Sequence, residues 1–176
     1  MDLSKKNFLI LSLDRFEQLR TMGTKTFEQL NEADIHWSPD AESNSIAVIV
    51  QHLSGNMLSR FTDFLTSDGE KPTRHRDEEF IEQRLTLDAL KKYWELGWSC
   101  VFAALAPLTI SDMDKEVFIR GESHTVMEAI LRQLSHYAYH VGQIVYIAKH
   151  LKSSEWKTLS ISRSKSEEYN NSMKHN

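Results

Sequence analysis

Eight histidines punctuate the chain. Two of them, His136 and His140, stand four residues apart in "LSHYAYHVGQIVYIAKHL", residues 134 to 151. On a helix of 3.6 residues per turn their side chains leave the same face ~40° apart. Their Cβ atoms then lie ~6 Å from each other, within reach of one divalent cation. The H-x-x-x-H spacing also serves zinc metalloproteases, where a glutamate after the first histidine is the general base. Tyr137 occupies that position here, which disfavours protease chemistry. Taken alone, the pair is a weak signal and reads more simply as two polar residues at the edge of a core.

A third imidazole changes the balance. His52 lies in "IAVIVQHLSGNMLSRFTDFL" between Val50 and Leu53, with Asn56, Ser59, Arg60 and Asp63 following on its side of a helix. It falls about two turns from the start of its segment, and the His136–His140 pair three to four turns from the start of its own. The three rings can therefore meet mid-bundle across an interaxial distance of ~8–10 Å. Three neutral imidazoles leave a fourth coordination position open to water or substrate, as in catalytic rather than structural zinc sites. The competing reading makes His52 a hydrogen-bonded residue at the core margin. Asn56 and Arg60 are the candidates for orienting an anionic substrate or a thiol, against the plainer reading of Arg60 as a surface residue. Gln133 and Gln143 flank the pair and are candidate partners for imidazole N–H groups. No carboxylate adjoins the three as a general base, since Asp63 lies three turns beyond His52. His36, His75 and His175 fall in loops or the tail, His124 in a short hairpin, and His150 near a helix C-terminus, where a cation suits the dipole.

Four segments with 3/4 apolar spacing must position these groups. The first runs from about Leu3 to Asn31 with Arg20 and Gly23 interrupting its stripe, the second from Ile46 to Leu65, the third from Thr86 to Ala106, and the fourth from Val126 to about Leu151. Ser45 or Asn44 can cap the second. Pro107 stops the third. Thr125 and Glu128 form a capping box for the fourth. "KEVFIRGESHTV", residues 115 to 126, alternates apolar and polar around Arg120-Gly121 and predicts a β-hairpin. Residues 66 to 85 make a polar connection too long for antiparallel neighbours. A crossover joining parallel second and third helices uses that length. The expected fold is an all-α four-helix bundle over residues 1–151, with a polar tail, 152–176, partly docked on it. The charge run "EKPTRHRDEE" in the crossover reads as a solvated loop.

The chain has 176 residues, 40% of them hydrophobic and 26% charged, which suits one domain with a sizeable core. A formal charge of -4 with no dense basic cluster excludes nucleic acid and anionic membrane as favoured partners. Cys100 is the one cysteine, so no intrachain disulfide forms, and it reads as a small core residue. Asp14 and Arg15 break the early apolar run too soon for a secretory signal, and no stretch approaches the ~18 apolar residues of a membrane span. A soluble cytoplasmic protein is the expectation.

The stretches 45–80, 118–151 and, in the tail, "WKTLSISRSKSEEYN" together resemble the DinB-like (YfiT-like) superfamily of metal-dependent bundle proteins, in a bacillus-type branch of unknown function. One histidine in the second helix, a hairpin, and H-x-x-x-H in the fourth helix come in the order typical of that group. The resemblance implies a bundle with a crossover after helix two. It implies one divalent metal on His52, His136 and His140, with zinc or nickel first and iron or manganese next. It also implies homodimers. Similar proteins use a low-molecular-weight thiol such as bacillithiol to transfer or isomerise small-molecule substrates. Others are hydrolases in which the metal activates water. A non-enzymatic metal-binding or stress-interaction protein is the third alternative. The large apolar residues of helix three, Trp94 and Trp98 above all, suggest an exposed patch for a dimer interface, with Arg20 of helix one at a second seam or facing the pocket.

Overall fold

Three hydroxyl side chains start the principal helices. Ser45, Thr86 and Thr125 sit in extended backbone, and each accepts from the amide three residues on. That satisfies one of the N–H groups a helix start leaves without a partner, an effect worth ~1 kcal/mol. The computed structural model describes residues 3–173, so His175 lies outside the described residues. Its elements are α1 (Leu3–Phe27), a short α2 (Glu32–Ile35), α3 (Ile46–Phe61), α4 (Leu87–Leu105), a hairpin of β1 (Glu116–Ile119) and β2 (Glu122–Thr125), α5 (Val126–Lys152) and α6 (Ser166–Met173).

Contacts between the helices give their directions. Gly97 of α4 faces Ser54 and Met57 of α3, and Cys100 Sγ lies 3.7 Å from Thr62 Oγ1 just past α3. The two helices therefore run parallel, as the long connection between them requires. Phe16 of α1 stacks on Tyr137 of α5, Lys5 pairs with Asp114 ahead of the hairpin, and Gln29 bonds Lys157 beyond α5, so α1 and α5 are also parallel. Against α4, α1 is antiparallel: Phe27 meets Trp94 and Phe16 meets Trp98. The bundle runs up-down-down-up, with the crossover between its two middle members.

Aromatic rings fill the centre. Tyr137 lies 6.0 Å from Phe16 and 5.7 Å from Trp98, centroid to centroid, and all three are buried. Each such pair adds ~0.5–1.5 kcal/mol beyond the burial of its area. Trp94 and Trp98 therefore belong to the interior of the single chain and do not form an exposed patch on helix three. Phe16, Phe27 and Tyr137, from α1 and α5, supply the apolar partners that a second subunit was expected to supply. Arg20 does not line the cavity described below. Its guanidinium donates to Glu95 at 2.6 and 3.0 Å and ties α1 to α4.

Two helices end earlier than the apolar spacing implies, and a third is bounded within a residue of it at each end. The first helix ends at Phe27 because Asn31 opens a new helix, in a capping box with Asp34. The second ends at Phe61, where Thr62 turns extended and Asp63 takes a positive φ of 49°. The third spans Leu87–Leu105, Thr86 being its cap. Beyond α5, Trp156 packs against the core and the Lys157 backbone exchanges two hydrogen bonds with the Gln29 side chain. Residues of α6 are exposed. No helix among the described residues is long and apolar enough to cross a membrane.

The crossover is solvated at His75, Arg76, Asp77 and Glu78, as its charges imply, but not at two charged residues that flank them. The side chains of Arg74 and Glu79 are only 4% and 11% exposed, because the segment folds back over α3 and the two pair with each other there.

Candidate metal centre

His52 reaches the bundle interior from the third turn of α3, and His136 and His140 reach it from the middle of α5. The antiparallel crossing of α3 and α5 brings them together. Their ligand nitrogens all lie within 4.8 Å of one another. The Nε2 atom of His136 is 3.4 Å from that of His52 and 3.1 Å from that of His140. Three nitrogens bound to one zinc at ~2.0–2.1 Å in tetrahedral geometry stand roughly 3.3 Å apart. The two spacings through His136 match that value, and the three nitrogens together could hold one ion.

The far sides of the rings explain which nitrogen faces inward. A carboxylate of Glu79 lies 2.9 Å from His52 Nδ1. Burial alone raises the Glu79 pKa, but hydrogen bonds from His52 and Arg74 outweigh it and hold the group below its ordinary value. Glu79 is thus ionised and accepts, so His52 carries its proton on Nδ1 and presents a lone pair on Nε2. His140 Nδ1 donates in the same way to Gln143 Oε1 at 2.8 Å. Two lone pairs therefore converge on His136 Nε2. A proton there serves one of them, whereas a cation serves all three nitrogens. Burial and the charges of neighbouring imidazoles push His136 down to about 3, and burial pushes His140 down to about 4. Both rings are neutral near pH 7, as ligation requires. The Nδ1 of His136 is buried and has no hydrogen-bond partner among the described residues.

Glu79 can lie against α3 because residue 55 is a glycine. A Cβ there would stand 2.3 Å from Glu79 Oε1. Arg74 then clamps the same carboxylate with two bonds of 2.8 Å. Phe80 covers the His52 ring, with 4.7 Å between centroids.

A cavity of about 520 Å³ opens beside His52 and His136. Asn56 and Arg60 both line it, as their spacing from His52 implies. Asn56 is buried and accepts from Tyr137 Oη at 3.1 Å. Arg60 is not a surface residue: it is 4% exposed, and it donates to the Gly69 carbonyl and to Glu70. Gln143 takes the role suggested for it, whereas Gln133 is buried with neither amide atom bonded and does not reach a ring. Cys100 is partly buried against the core at α4 and stands apart from the three histidines. His36 bonds Glu82 and the Leu85 carbonyl, and His150 stacks near Trp37. The residues missed in the sequence are Glu79, Arg74 and Gly55. The one signal for Glu79 and Arg74 was the dense acidic and basic run in a connection longer than its span demands; Gly55 had none.

An all-α bundle carrying three convergent histidines between two antiparallel helices is the class these features define. The chain belongs to the family described as "Protein of unknown function (DUF1572)", whose model matches residues 3–165. No curated protein matches the chain.

Proposed function

We propose that the protein is a metal-dependent enzyme of the DinB-like kind, which uses a mononuclear three-histidine centre to bring a low-molecular-weight thiol of the bacillithiol type to a small electrophilic substrate. The observation that carries this reading is the convergence of three imidazole Nε2 atoms, with His52 and His136 lining a cavity in which no carboxylate takes part. A divalent cation on those nitrogens, zinc or nickel by ligand type, lowers the pKa of a bound thiol, so that thiolate is available near neutral pH. His52, His136 and His140 hold the cation, and Glu79 and Gln143 orient two of them from behind. In the transfer, the thiol sulfur bonds to an electrophilic carbon, the leaving group departs with its electron pair, and the thiol proton passes to solvent.

The environment of Glu79 argues against its service as a general base in hydrolysis. Its carboxylate is committed to Arg74 and His52 and is not free to take a proton from water. A metal-held thiol would ionise near neutral pH without such a base, and hydrolysis here would rest on metal-bound water alone. The test is turnover by the metal-loaded protein of bacillithiol with an electrophile such as monochlorobimane, beside ester and amide substrates without thiol. Thiol-dependent turnover that His140→Ala abolishes is the expected result. Hydrolysis without thiol would replace this reading by the hydrolase. No turnover in either assay would leave a metal-binding protein without catalysis.

A further inference from the structure

The cavity beside the histidines has an unusual wall. Five arginines line it, Arg60, Arg74, Arg76, Arg120 and Arg132, and no aspartate or glutamate does. They come from four parts of the chain: α3, the crossover, the hairpin turn and α5. In a chain of net charge -4 that concentration is local.

Two carboxylates hold the array together. Glu70 pairs with Arg60, Arg74 and Arg120, at 2.9, 3.4 and 3.0 Å, and Glu79 pairs with Arg74. Against Glu70, Glu79, Asp68 and the exposed Asp77, five guanidinium groups still leave the wall net positive. Arg76 lies over the Phe80 ring, and its one ion pair, 3.5 Å long, is to Asp77, which is fully exposed and screened by water. Arg132 is exposed and has no hydrogen bond or ion pair among the described residues. Arg120 takes a positive φ of 57° at the hairpin turn. Asp68 steadies that conformation by accepting from the Arg120 and Gly121 amides at 2.9 and 2.7 Å. The crossover and the hairpin thus carry their arginines to the mouth of the same cavity that His52 and His136 border. A planar guanidinium binds carboxylate or phosphate through paired N–H bonds, and a low-dielectric wall strengthens each pairing.

We infer that this cavity binds a small molecule carrying a multiply charged oxyanion, phosphoryl or polycarboxylate, with Arg76 and Arg132 as its exposed anchors and Arg60, Arg74 and Arg120 as its paired cationic floor. The inference deepens the reading above by naming the charge of the thiol or substrate that reaches the histidines. A concave site of about 520 Å³ suits a small molecule and not a polymer.

The experiment titrates the purified protein with inorganic phosphate and separately with succinate, at ionic strength held constant with sodium chloride. Metal content is measured in the same samples. Saturable binding of at least one anion is expected. In the Arg76→Gln/Arg132→Gln variant the affinity should fall tenfold or more with metal content unchanged. Both side chains are exposed enough that the variant keeps its fold. Binding of phosphate alone assigns a phosphoryl group, and of succinate alone a polycarboxylate. Anion binding that persists in protein unable to retain metal supports this inference while removing the metal-dependent reading. No saturable binding of either anion, or equal affinity in the variant, overturns it.

Discussion

The carboxylate of Glu79 and the Nδ1 of His52 stand 2.9 Å apart although 27 residues separate them in the chain. The contact turns a crossover loop into part of the three-histidine site. It fixes which nitrogen of His52 faces inward, and it anchors the loop to α3. Glu79→Gln keeps an acceptor for His52 but removes the charge, and leaves Arg74 buried with a weaker partner. Metal affinity should fall ~10–100-fold, the usual cost of losing such a supporting group. Competition against a chelator of known affinity measures this. Affinity equal to wild type would show that the carboxylate does not support the ligand.

Gly55 makes that contact possible. In Gly55→Ala the new Cβ meets a carboxylate held from two other sides, so Glu79 must leave either His52 or Arg74. An alanine inside a helix gains ~1 kcal/mol over glycine, so the bundle itself should persist. The expected result is a folded protein with weakened metal binding. Unchanged binding would mean that Glu79 moves without consequence.

Gly23 does its work in the core, far from the site. A Cβ there would stand 2.2 Å from the Trp94 ring. That indole is buried, and its Nε1 donates to Arg20 O at 3.3 Å and Thr24 Oγ1 at 3.2 Å, so it is not free to swing aside. Overpacking typically costs ~1–3 kcal/mol, which outweighs the ~1 kcal/mol propensity gain of alanine. Gly23→Ala should lower the urea midpoint and leave metal stoichiometry untouched. A midpoint at or above wild type would contradict the close packing of α1 on α4.

Stability should depend on pH through the same imidazoles. His136 and His140 are pushed down to about 3 and about 4 in the fold, chiefly by burial, whereas an unfolded histidine titrates near ~6.5. Between those values the unfolded chain binds more protons than the native one, so stability rises with pH. It is fully present above ~6.5 and is lost as the pH falls toward 4. Denaturation of chelator-treated protein at pH 7.5 and 4.5 tests the sign. Equal or greater stability at the lower pH would refute it.

What was legible in the sequence was whatever repeats with a helical period. The three histidines, the Ser45 and Thr125 caps, the hairpin and the parallel α3–α4 pairing all follow from local spacing or connection length. Asn56 and Arg60 emerged for the same reason, one and two turns past His52. Glu79, Arg74, Arg76 and Arg120 did not, because they sit in a connection and a turn with no period to place them. Arg132 stands four residues before His136 and was within reach of the same spacing rule. The surplus of large side chains on α4 misled, because periodicity shows how much apolar surface a helix carries but not how many neighbours cover it. Trp94 and Trp98 are covered by α1 and α5 within one chain.

X-ray absorption at the metal edge of zinc- or nickel-loaded protein tests the central claim most directly. One metal per chain is expected, with a first shell containing three imidazole nitrogens, at ~2.0–2.1 Å for zinc, and with the histidine signal lost in His140→Ala. A shell of oxygen alone, a sulfur contribution from Cys100, or unchanged loading of the His140→Ala variant would contradict a centre built from His52, His136 and His140.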